Sequence, residues 1–187
     1  MRRKWVACRV ASLGLVLGWS SCAVGCFGDS HTEGIYGAPW VEQLQRRLRR
    51  ECVNFGRNAW TASSIQRRAA QAPAFDEAVV LAGTNDVMME LAAEAQNQGM
   101  LSVYRGLNQL PLEYVPSIES FASSFRDLLQ SIRAEKVAVL SLPPLGERDG
   151  RAAEKLRLYN QEIRRVVEDS PQAIYVPFGE ALEIKSG

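Results

Sequence analysis

Three short polar runs in this sequence hold the side chains best equipped for chemistry. Gly28-Asp29-Ser30 offers a hydroxyl in a tight turn. Asn54-Phe55-Gly56-Arg57-Asn58-Ala59-Trp60-Thr61 offers backbone N–H groups and amides. Gly83-Thr84-Asn85-Asp86 sets a carboxamide beside a carboxylate. A serine hydroxyl facing fixed N–H donors is the equipment of acyl transfer, in which the hydroxyl attacks a carbonyl and the donors hold the oxyanion. Singly, each run is ordinary, because Gly, Asp, Asn and Ser are turn formers. Asn85 would serve equally as a helix cap, and Asp29 and Asp86 as turn braces. Their meaning depends on whether the intervening elements bring them together.

Each run follows an apolar segment of strand length. Strands are expected at Ser21–Phe27, Cys52–Phe55, Glu77–Ala82, Val137–Leu142 and Ala173–Val176. Helices are expected at Pro39–Arg50, with Trp40, Leu44 and Leu48 on one apolar face, and at Ala62–Ala72, Ser117–Arg133 and Gly150–Glu168. Strands alternating with helices predict an α/β fold of three α/β/α layers around a five-stranded parallel sheet. Right-handed crossovers put the carboxyl ends of the strands on one rim, so Ser30, the 56–61 loop and Asn85 can converge. Residues 87–116 are the least regular part. A helix is expected around Met88–Ala93, and Gly99, Gly106, Pro111 and Pro116 then punctuate a long connection of the kind used for lids and binding loops.

Bulk properties exclude more than they assign. The chain has 187 residues, 47% hydrophobic and 23% charged, enough for one domain with a real core. A net charge of +1 gives no global pull toward nucleic acid. Arg46, Arg47, Arg49 and Arg50 read as a solvated helix face. The four cysteines form no C-x-x-C and no Cys/His cluster, so no metal site is expected and the thiols read as small buried hydrophobes. No Gly-x-Gly-x-x-Gly or Gly-x-x-x-x-Gly-Lys is present, which argues against phosphate binding at the first turn. Residues 1–20 carry Arg2, Arg3, Lys4 and Arg9 around a short apolar run from Val10 to Trp19. That run is short of the roughly 20 residues of a membrane span and fits a secretory or organelle-targeting segment. The expectation is therefore a targeting segment over 1–20 and one domain over 21–187, in a secreted or organelle-targeted protein with no stable membrane span; the alternative is a buried N-terminal helix or strand in a cytoplasmic protein.

In order and spacing, the three runs resemble the blocks of the SGNH (GDSL-type) hydrolase family. Gly28-Asp-Ser-His-Thr-Glu-Gly34 matches its first block, Asn54–Thr61 its second and Gly83-Thr-Asn-Asp86 its third. Val139-Leu-Ser-Leu-Pro-Pro-Leu-Gly146 and the later Tyr159-Asn160 are also similar to the family. The resemblance spans about residues 21–180 and implies a flavodoxin-like fold. It further implies a metal- and cofactor-free hydrolase acting on a small-molecule, lipid or carbohydrate ester. By motif, Ser30 would be the nucleophile and donate its own N–H to the oxyanion hole. Asn85 would donate its side-chain amide and Ala59 its backbone N–H, at a place where the family has glycine. Gly56, Asp29 and Gly83 would shape and support the turns. The family's base, a histidine in a C-terminal Asp-x-x-His block, has no counterpart, since the single histidine is His31. Two expectations compete. Either the domain is incomplete at its C-terminus, or the chain is an inactive homologue that binds an acylated lipid or carbohydrate.

Overall fold

The computed structural model describes residues 23–145, 150–179 and 181. The expected targeting segment, Ser21, Cys22, Gly146 and the last residues of the chain lie outside the described residues.

Among the described residues five strands form one parallel sheet: β1 (Val24–Gly28), β2 (Cys52–Gly56), β3 (Phe75–Leu81), β4 (Ala134–Leu140) and β5 (Ala173–Val176). Their spatial order is β2-β1-β3-β4-β5. The chain runs outward from β1 to β2, then crosses back to β3 on the other side of β1. A doubly wound sheet binds its ligands outside the carboxyl ends of the strands at such a reversal. Here the reversal lies between β1 and β3, the two strands that lead into Ser30 and Asn85.

Among the described residues seven helices join the strands: α1 (Ser30–Glu33), α2 (Trp40–Leu48), α3 (Ala62–Gln71), α4 (Thr84–Glu94), α5 (Gln98–Asn108), α6 (Ile118–Ser131) and α7 (Gly150–Glu168). The two faces of the sheet follow from the period-2 alternation of β1. Ala23 and Phe27 point into the main core, with Ile65 of α3, Phe121, Phe125 and Leu128 of α6, and Tyr159 and Ile163 of α7. Val24 and Cys26 point the other way, against Val41 of α2 and Cys52. Phe27 stacks on Phe55 at 4.8 Å between centroids, and Phe75 meets both rings edge-on. This locks β2, β1 and β3 together on the main-core face of the sheet.

Most element expectations hold within a few residues, and the parallel five-stranded α/β sheet is as expected. Two readings change. The expected long connection over 87–116 is largely helical: α4 begins at Thr84, and α5 runs through Gly99 and Gly106 to Asn108. A glycine in a helix costs only about 1 kcal/mol, and tertiary contacts outweigh it here. On α2 Val41 is the fully packed residue, with Trp40 and Leu44 of the expected stripe partly buried against the same cluster, while Leu48 departs from it. Leu48 is exposed because the helix ends there, in the left-handed turn at Arg49.

Helix α4 is tied to α7 from below. The Tyr159 hydroxyl donates to Glu90 Oε2 at 2.6 Å, and the Lys155 ammonium bridges Glu90 and Glu94. In turn, Asn160 receives the N–H of Leu142 at 2.7 Å and closes the end of β4. Both members of the Tyr159-Asn160 pair thus hold elements in place. Cys26 and Cys52 are free thiols in the smaller core, as expected of buried hydrophobes.

Candidate active site

Ser30 is the first residue of α1, two residues past the end of β1, and its side chain is buried but for a small opening. Asp29 caps this helix: its Oδ1 receives the N–H of His31 at 3.0 Å. The Ser30 N–H lies at the helix N-terminus, where backbone donors have no intrahelical acceptor. Asp29 is wholly buried, and burial pushes its carboxyl well above the usual carboxylate range despite the His31 N–H.

The second turn is stitched to the first. Asn54 Nδ2 donates to Thr32 O at 2.8 Å, and its Oδ1 accepts the Gly56 N–H at 2.8 Å. Arg57 N–H reaches Gly28 O, and Asn58 N–H reaches the Glu33 carboxylate at 2.5 Å. At Gly56 a Cβ would collide with the backbone nitrogen of Glu33, so glycine is what allows β2 and α1 to touch. Arg57–Trp60 is a turn closed by Trp60 N–H to Arg57 O at 3.3 Å. Ala59 is its third residue and has φ +62°, the position at which a type II turn requires positive φ and takes glycine by preference. The backbone therefore keeps the conformation of a glycine while carrying a methyl group.

The third turn holds Asn85. Gly83, with φ +131°, adopts a conformation open to glycine and turns β3 into α4. Asn85 is in the first turn of α4 but does not cap it. Its Nδ2 instead donates across to Trp60 O at 2.9 Å, and its Oδ1 accepts the Tyr104 hydroxyl at 3.3 Å. Next to it, buried Asp86 braces the second turn by accepting the Ala62 N–H at 2.9 Å. Burial raises the Asp86 carboxyl to about 7, against the pull of that N–H.

The structure thus gathers the turns carrying Ser30, Ala59 and Asn85 by direct bonds between neighbouring strand ends. Gly56 and Gly83 lie where the strands turn, and Asp29 and Asp86 accept backbone N–H groups there. His31 follows Ser30 within α1, and adjacent helical residues do not face each other. No group of three His, Cys, Asp or Glu among the described residues is arranged to hold a metal ion. No helix of the described residues is long and apolar enough to cross a membrane.

Sequence reasoning missed Tyr104 and Asn108, both on α5. Asn108 is fully buried and bonds the 59–64 segment at several points. The available signal was their i, i+4 spacing behind Leu101, which places all three on one helical face. The punctuating glycines obscured it.

A family model described as the GDSL-like lipase/acylhydrolase family matches residues 26–186. No curated protein matches the chain. Among solved structures, an acetylxylan esterase from Geobacillus stearothermophilus is 17% identical, with 86% of this chain and 80% of that one covered at a TM-score of 0.58. A lipase/acylhydrolase from Enterococcus faecalis is 18% identical, with coverages of 87% and 78% and a TM-score of 0.61. A lipolytic G-D-S-L family member from Veillonella parvula is 16% identical, with coverages of 88% and 82% and a TM-score of 0.60. At these identities the likeness is one of fold.

Proposed function

The chain belongs to the GDSL-like lipase/acylhydrolase family, and from that premise we propose that it is a serine ester hydrolase working through an acyl-enzyme on Ser30. Ser30 Oγ attacks the ester carbonyl carbon, the alcohol departs with the hydroxyl's proton, and water then cleaves the acyl-enzyme to release the acid and restore the serine. Ser30 N–H, Ala59 N–H and one Asn85 Nδ2 hydrogen hold the oxyanion. Each such donor is typically worth about 3–4 kcal/mol of transition-state stabilisation. The observation that carries the reading is the Asn85 Nδ2 bond to Trp60 O, which ties two of the three donor-bearing turns together. A carboxamide placed only to cap α4 would not reach across to that carbonyl.

A second reading has its own observation. His31 is the single histidine, and its place beside Ser30 on α1 does not suit it as the serine's base. In this reading the chain binds an acylated lipid or carbohydrate without cleaving it. Export through residues 1–20 remains part of the proposal in either case.

The test is the intact mass of the full chain after exposure to a fluorophosphonate probe, with Ser30→Ala as control. One adduct on the wild type and none on Ser30→Ala is the expected result. Binding of an acyl ester with no adduct on either protein would select the second reading.

A further inference from the structure

We propose that α5 is the brace of the oxyanion hole, with Tyr104 and Asn108 as positioning residues for Asn85 and the Ala59–Thr61 segment. The inference rests on the reading of Asn85 and Ala59 as oxyanion donors. Tyr104 and Asn108 lie one turn apart on the same face of α5. Each takes hold of one of the two donor turns.

Asn85 works only if its amide keeps one orientation. Rotation by half a turn about its last bond would swap Nδ2 for Oδ1 and present an acceptor to the developing negative charge. Both ends of the amide are held. Trp60 O accepts one Nδ2 hydrogen at 2.9 Å, and the Tyr104 O–H is donated to Oδ1 at 3.3 Å. The second Nδ2 hydrogen is the one available to substrate. Burial, with the Asp29 and Asp86 carboxylates nearby, raises the Tyr104 phenol above its ordinary range and keeps it a donor.

Asn108 holds the other turn. Its Nδ2 donates to Ala59 O at 3.0 Å and to Tyr104 O at 2.9 Å. Its Oδ1 accepts the Thr61 N–H at 2.9 Å and the Ser64 hydroxyl at 2.7 Å. Even its backbone carbonyl is taken, by Arg67 Nη2 at 2.6 Å. A fully buried carboxamide is costly unless bonded, and here its partners flank Trp60 on both sides. Holding Ala59 O and Thr61 N–H fixes the two peptide planes on either side of Trp60, and the first of these, which leads out of Ala59, helps to hold the turn in which an alanine keeps a positive φ.

The test uses the full chain, a fluorophosphonate probe and p-nitrophenyl acetate. Tyr104→Phe removes one oxygen and little packing. We expect it to slow Ser30 labelling and lower kcat about tenfold, a fraction of the loss from removing an oxyanion donor outright, with KM and Tm nearly unchanged. In the Asn85→Ala background the same change should cost nothing further, because a residue acting through Asn85 has nothing left to position. Asn108→Ala is read by hydrogen exchange, independently of activity. The Trp60 and Thr61 amides should exchange faster while the β1 and β3 amides do not. No loss from Tyr104→Phe in the wild type, equal losses in both backgrounds, or unchanged exchange in Asn108→Ala would overturn the inference and leave Ser30 as nucleophile. An unlabelled wild type, or Asn85→Ala without effect, would overturn the oxyanion reading and the inference with it.

Discussion

Ala59 is where residue type and backbone disagree. Its φ of +62° suits glycine, and an L-residue there costs roughly 1 kcal/mol. The methyl group leaves the N–H in place as a donor. We therefore expect Ala59→Gly to raise stability by about 1 kcal/mol and to keep Ser30 labelling at the wild-type rate. Denaturant unfolding and labelling kinetics check the two halves separately. A loss of stability would mean that the bonds from Asn108 already relieve the strain, leaving only glycine's extra freedom in the unfolded chain to be felt.

Among elements, the contact between α1 and β2 sets the distance between the Ser30 turn and the Ala59 turn. Gly56 is the point of closest approach, and its neighbour is backbone, which cannot rotate away as a side chain can. Gly56→Ala is expected to cost about 1–3 kcal/mol, in the range of overpacked sites, and to push α1 off β2. Urea unfolding measures the first effect. Slower probe labelling of Ser30 reports the second. If stability falls while labelling holds, the α1–β2 contact supports the fold without setting the site.

At the scale of the whole molecule, the buried carboxyls make stability depend on pH. Asp86 is raised to about 7 in the fold, and Asp29 is raised in the same direction. An unfolded chain releases these protons near pH 4, whereas the folded chain keeps them. Between those values the native state binds more protons than the unfolded state. These groups' contribution is thus fully present below about pH 4 and is lost as pH rises through the folded pKa. For Asp86 the slope is up to about 1.4 kcal/mol per pH unit. Asp86→Asn keeps an oxygen for the Ala62 N–H but removes the titration. Its stability relative to wild type should therefore improve steadily from pH 4 to 7, with Asp29 leaving a residual slope in both proteins. Parallel unfolding curves across that range would place the Asp86 pKa near its ordinary value.

Local chemistry made much of this protein legible in its sequence. Apolar runs of strand length, alternating with helical periodicity, give a parallel sheet because period and length are properties of the chain itself. The turns that carry Ser30, Ala59 and Asn85 were readable as neighbours because each turn follows a strand, and parallel strands bring their carboxyl ends to one edge. The α5 brace was not readable. Tyr104 and Asn108 act on residues far from them along the chain, and nothing in their own neighbourhood marks a polar side chain as destined for burial. Gly99 and Gly106 carry the local signal of a loop, and only packing overrides it. The sequence by itself determined the strands and the order of the polar turns that follow them, since those depend on residues near one another in the chain. Tertiary structure alone decided which face of α5 meets the rim, which end of the Asn85 amide is held, and that an alanine keeps a glycine's turn. Each of those depends on partners that meet only when the chain is folded.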